Sequence, residues 1–144
     1  MTTALMEAEA AAKRGEAPIG CVIIDSTTDK IIAQTGNRVI ELKDPTAHAE
    51  MLAIRAAAKI LDRERLVECD LYVTLEPCPM CAQAISFARI RRLYYGALDP
   101  KGGGVDSGPR IFAQTTCHHR PEIYGGISER PAQKLLQDFF RSRR

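Results

Sequence analysis

The chain has 144 residues, of which 45% are hydrophobic and 26% are charged, and its formal net charge at pH 7 is +2. This length suits one folded domain with its own core, so we expect a single domain over 1–144. The composition excludes a disordered or fibrous protein. No stretch approaches the ~20 apolar residues of a membrane helix, and the N-terminal segment lacks the apolar centre of a secretory signal. These features predict a cytoplasmic protein.

The predicted elements alternate between helices and strands. In chain order they are a helix over 2–14, a hairpin with strands over 19–24 and 31–33, a helix over 47–60, a strand over 71–75, a helix over 78–89, a strand over 93–95 and a helix over 129–140. Asp44 and Pro45 favour the start of the second helix, as its N-cap and first helical residue. This order predicts an α/β domain with one mixed sheet between helix layers.

The cysteines indicate a metal site and no disulfide framework. Their number is odd and they are dispersed along the chain, at Cys21, Cys69, Cys78, Cys81 and Cys117. Dispersed cysteines of odd number argue against a set of disulfides. Only Cys78 and Cys81 have metal-ligand spacing. Cys117 lies beside His118 and His119, and we assign no function to that cluster.

Cys78 and Cys81 form a Cys-x-x-Cys pair at the predicted start of a helix. Residues i and i+3 share a helix face, and the positive end of the helix dipole favours thiolate over thiol. The pair therefore offers two soft anionic ligands of the kind that zinc prefers. A catalytic zinc takes three protein ligands and leaves a fourth position to water. We expect His48 to be the third ligand.

Glu50 follows His48 by two residues and is the expected proton carrier beside the metal. A catalytic zinc lowers the pKa of its water to ~7, and the reaction then needs a group that accepts and redelivers protons. In a regular helix, residues two apart point about 200° away from each other. His48 and Glu50 can therefore flank one metal only in an irregular first turn, which the nearby Asp44-Pro45 start permits.

Another interpretation of these residues remains open. A Cys-x-x-Cys pair is also common in structural zinc sites and in redox pairs. His118 and His119 can complete a closed four-ligand site, which would leave no position for a reacting water. The chain would then be a non-catalytic RNA-binding module with structural zinc.

The combination of motifs is more specific than its parts. His48-Ala49-Glu50 opens one predicted helix and Pro77-Cys78-Pro79-Met80-Cys81 opens the next, with a strand between them. This arrangement is typical of zinc deaminases that act on bases. Through these residues, and through 36–38, 44–50 and 75–81, the chain resembles the bacterial tRNA adenosine deaminases, which convert the wobble adenosine of an anticodon to inosine.

The resemblance implies a three-layer α/β/α cytidine deaminase-like fold with a central mixed five-stranded sheet. It also implies one Zn²⁺ per subunit and a homodimer across which the tRNA anticodon loop lies. By position in the motifs, His48, Cys78 and Cys81 bind the zinc, and Glu50 is the general acid and base. The reaction is then hydrolytic, with water as the only cosubstrate.

The same resemblance assigns the substrate contacts. The N–H of Ala49 holds the edge of the base, Asn37 contacts the ribose or base, and Ile19 packs on the flipped base. Asp99 corresponds to a position near the nucleotide that precedes the target. From the sequence alone, Asn37 and Asp99 can equally be turn residues and Ile19 a core residue.

The C-terminal third is the most basic part of the chain. The segment from 110 to 144 carries seven basic side chains and three acidic ones. Such a segment suits a polyanion, although arginines also favour the dipole at the end of a solvated helix. We expect Arg141, Arg143 and Arg144 to be free for phosphate.

A deaminase of a free nucleobase or nucleoside, such as cytosine, guanine or cytidine, is the alternative with the same metal site. The C-terminal helix separates the two, because an RNA enzyme needs its arginines exposed while the apolar face packs. The residues that we expect to pack inward are Leu135, Leu136, Phe139 and Phe140.

Overall fold

The structure is a computed structural model that describes all residues from 1 to 144. Its helices and strands are α1 (Thr2–Lys13), β1 (Gly20–Asp25), β2 (Lys30–Gly36), α2 (Val39–Leu42), α3 (Ala49–Leu61), β3 (Cys69–Leu75), α4 (Pro79–Phe87), β4 (Arg92–Ala97), β5 (Glu122–Tyr124) and α5 (Glu129–Arg141). A 3-10 helix covers Ile111–Ala113. None of the helices has the length and apolar character to span a membrane.

The five strands form one mixed sheet with the order β2-β1-β3-β4-β5. β1 pairs antiparallel with both β2 and β3, whereas β3, β4 and β5 run parallel to one another. The connection from β3 to β4 passes through α4, as a parallel pair requires. The predicted mixed five-stranded sheet is confirmed, and the start of α4 lies directly after the end of β3.

One face of the sheet carries the main core. Alternate residues of the central strands point to this face, where α3 and α4 cover them. The fully buried members include Ile23, Leu71, Val73, Ile85 and Leu93. Strand side chains alternate between the two faces of a sheet. The apolar side chains of β1, β3 and β4 therefore point toward α3 and α4, whose first turns and N-caps include the predicted metal ligands.

The opposite face is covered by α1 and α5, which completes the three-layer α/β/α arrangement. The approach of α1 is close, since a Cβ atom at Gly20 would lie 1.9 Å from the carbonyl oxygen of Ala4. Ala4, Ala8 and Ala11 form the buried face of α1. Small residues on both partners therefore let the helix lie directly on β1.

The predicted start of the second helix is wrong. Asp44 does not cap a helix; its Oδ1 accepts the backbone N–H of Thr46 at 2.8 Å and the Thr46 hydroxyl at 2.7 Å. This local bond stabilises a separate turn, and α3 begins only at Ala49, with His48 as its N-cap. An aspartate that bonds two residues ahead competes with helix formation.

Two short elements, α2 and β5, are absent from the predicted set. α2 has 4 residues and β5 has 3, so neither is long enough to repeat its period twice and show a recognisable pattern. Both depend on distant partners. The Glu16 carboxylate accepts the N–H groups of Ile40 and Glu41 in α2 at 3.0 and 2.9 Å, and β5 forms only by pairing with β4.

Candidate active site

Two helix N-termini meet at the candidate active site. His48 is the N-cap of α3 and Cys78 is the N-cap of α4, each with extended backbone dihedrals. Pro79 occupies the first turn of α4, where its missing N–H costs nothing. Because His48 stands outside the helix, the 100° rotation per residue does not apply between it and Glu50, and the two side chains can face one point.

His48, Cys78 and Cys81 form the one group of potential metal ligands in the chain, with ligand atoms within 4.8 Å of one another. His48 Nδ1 lies 3.6 Å from Cys78 Sγ and 3.6 Å from Cys81 Sγ. Zinc bonds of ~2.1 Å to nitrogen and ~2.3 Å to sulfur at a tetrahedral angle separate such atoms by ~3.5 Å. Imidazole and two thiolates are also the donors that zinc prefers, so the residues fit a zinc ion in spacing and chemistry.

The two thiols are electrostatically distinct before metal binding. The hydrogen bond from Cys81, aided by His48, lowers the pKa of Cys78 to about 4 despite its partial burial. The same hydrogen bond and burial raise the pKa of Cys81. Cysteine binds a metal as thiolate, so zinc binding requires both thiols to lose their protons.

Glu50 lies in the first turn of α3 with only 4% of its surface exposed. Its Oε2 is 3.5 Å from Cys81 Sγ, next to the metal ligands. Burial raises the pKa of Glu50 to about 7, and the charge on Cys78 acts in the same direction. The structure thus brings all four residues of the predicted centre together.

His118 and His119 do not join this group. His119 Nε2 lies 2.7 Å from the carbonyl oxygen of Ile90, and the Cys117 thiol donates to the His119 carbonyl at 3.2 Å. Ser86 Oγ donates to the same carbonyl at 2.8 Å. These bonds attach the 117–119 segment to the C-terminal end of α4, away from the ligands, so the closed four-ligand site is not present.

Asn37, Ala49 and Ile19 lie together beside the ligand group. The N–H of Asn37 donates to the carbonyl of Ile19 at 3.1 Å, and the N–H of Ala49 donates to Asn37 Oδ1 at 2.8 Å. The resemblance assigns that Ala49 N–H to a base edge, but here it is engaged, because the first N–H groups of a helix need an outside acceptor. An amide that accepts through Oδ1 presents its Nδ2 as a donor for a ligand.

Asp99 occupies the loop after β4 and is half-buried. Its Oδ1 accepts the N–H groups of Lys101 and Gly102 at 3.3 and 3.0 Å, so the side chain shapes its own turn. Its backbone N–H donates to Glu76 Oε1 at 2.9 Å. The loop is therefore tied to the residues that precede Cys78.

The three predicted arginines lie at the C-terminal end of α5 and in the residues that follow it. Arg141, Arg143 and Arg144 are all exposed. The guanidinium carbon of Arg143 lies 4.1 Å from the centre of the Phe139 ring, and its Nη2 donates to the Gly15 carbonyl at 3.3 Å. A cavity of about 310 Å³ lies between Arg143, Phe139 and Asn37, so the end of α5 faces the candidate site.

The prediction that four apolar residues of α5 pack inward is wrong for one of them. Leu135, Leu136 and Phe139 are half-buried, whereas Phe140 is 52% exposed. Phe140 packs edge-on against the ring of Phe139 instead of entering the core. Ala132 is the only buried residue of this helix, and it lies against Gly96 of β4, where an added Cβ atom would be 3.1 Å from the Ala132 Cβ.

Two buried carboxylates near the site escaped the sequence analysis. Glu16 and Glu76 are each 2% exposed; Glu16 accepts backbone N–H groups from α2, and Glu76 accepts them from the loop after β4. Burial opposes ionisation of Glu76, but hydrogen bonds from Asp99, Ser107 and Val105 outweigh it and hold the pKa below its usual value. A glutamate at the end of an apolar strand is the only local indication of this arrangement.

Residues 1–97 match the cytidine and deoxycytidylate deaminase zinc-binding region, which includes all four residues of the centre. The tRNA-specific adenosine deaminase of Agrobacterium fabrum is 57% identical over 144 residues, covering 100% of this chain and 93% of its relative.

Two solved structures share the fold. One comes from studies of A-to-I editing by tRNA:A34 deaminases at the wobble position of transfer RNA; it has a TM-score of 0.92 and 57% identity over 94% of this chain and 97% of its own. A guanine deaminase from Nitrosomonas europaea has a TM-score of 0.78 and 21% identity over 96% of this chain and 81% of its own, which shows the fold alone. The chain belongs to the cytidine and deoxycytidylate deaminase family and, within it, to the tRNA-specific adenosine deaminases.

Proposed function

We propose that the protein is a zinc-dependent hydrolase that deaminates adenosine to inosine at the wobble position of a tRNA anticodon. The observation that carries the reaction type is the three-ligand group of His48, Cys78 and Cys81 with the buried Glu50 carboxylate beside it. The tRNA substrate is supported by the names and full-length similarity of the relatives described above.

His48, Cys78 and Cys81 would hold the zinc ion, which when bound would supply a water of pKa ~7. Attack of water at C6 of adenine requires that protons leave the water and reach the ring nitrogen and the departing amine. Glu50 carries these protons, first as a base and then as an acid. Its burial keeps bulk water from competing for them, and the products are inosine and ammonia.

The substrate contacts follow from the cluster around α3. Asn37 offers its Nδ2 to the base or ribose, and Ile19 packs on the flipped ring. Ala49 can meet the base edge through its N–H only when Asn37 Oδ1 releases it. Asp99 lies toward the preceding nucleotide. A loop base is already unpaired, so its extrusion costs less than the few kcal/mol required within a duplex.

Incubation with a pool of unmodified tRNAs is expected to place inosine at wobble adenosines and nowhere else. Sequencing of the reverse-transcribed pool locates inosine, because it is read as guanosine. Free adenosine, guanine and cytidine, assayed for ammonia release under the same conditions, are the competing substrates. Turnover of a free base or nucleoside with no inosine in any tRNA would assign the chain to the small-molecule deaminases.

Joint replacement of Arg141, Arg143 and Arg144 by alanine is expected to weaken tRNA binding and flatten its salt dependence. Each lost phosphate contact lowers the slope of log K against log salt by ~0.7 for single-stranded RNA, so the slope should fall by up to ~2. Filter binding across a salt series measures it.

The matched control for this variant removes the same charge elsewhere. Lys59, Arg63 and Arg65 are exposed around the C-terminal end of α3, which lies about 18 Å from the start of that helix at 1.5 Å per residue. Their joint replacement by alanine should leave the slope closer to wild type. Equal slopes for both triple variants would mean that the C-terminal arginines contact no phosphate.

The enzyme is a cytoplasmic homodimer with one zinc ion in each subunit. One ligand group in the chain supports one zinc ion per subunit. Exposed apolar side chains, including Phe87 at 68% and Leu98 at 44%, support a homodimer, and light scattering that returned a monomer mass would refute it. The domain over 1–144 acts on tRNA in the cytoplasm, where that substrate is used.

A further inference from the structure

The Glu76 carboxylate is the most heavily hydrogen-bonded side chain in the protein. It is 2% exposed and lies between the end of β3 and the ligand Cys78. Its Oε1 accepts the Asp99 N–H and the Ser107 hydroxyl, each at 2.9 Å. Its Oε2 accepts the N–H groups of Val105, Asp106 and Ser107 at 3.0, 2.9 and 2.9 Å. Both ends of the 99–107 loop therefore converge on one carboxylate.

The middle of the 99–107 loop packs against the metal-ligand turn. The Gly104 N–H donates to the Pro77 carbonyl at 2.8 Å. A Cβ atom at Gly104 would lie 2.6 Å from Pro79 N and 2.9 Å from Cys78 C, and one at Gly103 would lie 2.4 Å from the Glu76 carboxyl carbon. The two glycines thus allow the loop backbone to touch both Glu76 and the start of α4.

A second attachment holds the same loop from the side of the sheet. The hydroxyl of Tyr95 donates to Asp106 Oδ2, and Tyr95 is itself 3% exposed within the core. The loop is consequently held at two places: the Glu76 carboxylate binds its backbone, and the Tyr95 hydroxyl binds the side chain of Asp106. Neither group lies among the residues proposed to touch zinc or substrate.

We infer that Glu76 is a positioning residue that fastens the 99–107 loop to the ligand turn and so fixes where Asp99 meets the RNA. This inference rests on the proposed function. Glu76 Oε1 accepts the backbone N–H of Asp99 directly. A shift of this backbone would also shift the Asp99 side chain. Glu76 therefore acts on substrate binding through Asp99, and not on the proton transfer that Glu50 performs.

A carboxylate is the side chain that this arrangement requires. It only accepts hydrogen bonds, and its two oxygens have about four lone-pair sites, so the five converging donors use its full accepting capacity. Glutamine replaces one oxygen by a donor amide of the same size. Two or three of the N–H and O–H groups would then face another donor, and buried donors without acceptors are costly.

Glu76→Gln is expected to raise KM for an anticodon stem-loop RNA ~10-fold, while kcat and zinc content stay within ~3-fold of wild type. The tenfold figure corresponds to the loss of about one buried hydrogen bond from the binding loop. Hydrogen exchange should show lost protection at the Val105, Asp106 and Ser107 amides. Glu64→Gln is the matched control, because Glu64 is exposed, and it should change none of these quantities.

A double-mutant cycle tests whether Glu76 acts through Asp99. The KM effect of Glu76→Gln should largely disappear in an Asp99→Ala background, because both changes remove the contact between the Asp99 side chain and the RNA. Additive effects, an unchanged KM, or a loss of kcat and zinc without a change in KM would each overturn the inference.

Milder variants keep the test decisive if Glu76→Gln does not fold. Ser107→Ala removes one of the five bonds and Tyr95→Phe removes the second attachment, and each should raise KM in the same direction by a smaller factor. If the wild type deaminates no RNA, the proposed function fails. Hydrogen exchange of the loop amides does not depend on deamination and still tests whether Glu76 holds the loop. Amides that stay protected in Glu76→Gln would show that it does not.

Discussion

Glu50→Gln is expected to lower kcat for deamination by about 10²- to 10⁴-fold, the usual contribution of a positioned general acid and base. Glutamine keeps the size of the side chain and can remain in its buried site, but it cannot accept and return a proton. Zinc content and RNA affinity should stay close to wild type, because the three ligands and the C-terminal arginines are unchanged.

Single-turnover kinetics with excess enzyme measure the chemical step of Glu50→Gln apart from RNA binding. Glu64→Gln makes the same chemical change at an exposed position and should leave kcat unaltered. Full deamination by Glu50→Gln would remove Glu50 from the reaction. A loss of zinc in parallel with activity would show instead that Glu50 supports the metal.

Removal of zinc should abolish deamination and lower the stability of the fold. Cys78→Ser and Cys81→Ser are expected to lose bound zinc, since a hydroxyl is a poor substitute for thiolate. A metal present at 100 times its dissociation constant stabilises the folded state by about 2.7 kcal/mol. For a domain of this size that corresponds to a fall in Tm of roughly 5–10 °C.

Metal analysis and thermal unfolding follow these variants, and added zinc should restore the chelated wild type but neither variant. Cys117→Ser provides the control, because Cys117 bonds to Ser86 and His119 and lies outside the ligand group. Its zinc content should match wild type. Activity that survives complete removal of zinc would contradict the assigned reaction.

Much of the candidate site was predictable because its chemistry is local. Cys78 and Cys81 are three residues apart, so a single helix turn presents both sulfurs on one side. His48 and Glu50 likewise lie within one short segment. Their residue types alone indicate soft ligands and a proton carrier, whatever surrounds them.

His48 and Glu50 face one point because of a local side-chain hydrogen bond, which helix propensity does not predict. A helix that began at Asp44 and Pro45 would contain both residues, and they could face one point only if its first turn were irregular. The Asp44 side chain instead bonds Thr46, the helix begins at Ala49, and His48 is left with extended dihedrals. A side-chain hydrogen bond of one residue thus changed the geometry of the centre.

Sequence alone therefore determined the candidate ligand set, the candidate proton carrier, the α/β class and the family resemblance, since each depends on residue type, short spacing or periodicity. Tertiary structure decided everything that depends on partners distant in the chain. Glu76 meets donors 23 to 31 residues later, Asn37 takes the Ala49 N–H, β5 exists only against β4, and Phe140 stays exposed. Hydrogen bonds and packing between distant segments have no local pattern, because their geometry exists only once the sheet has assembled.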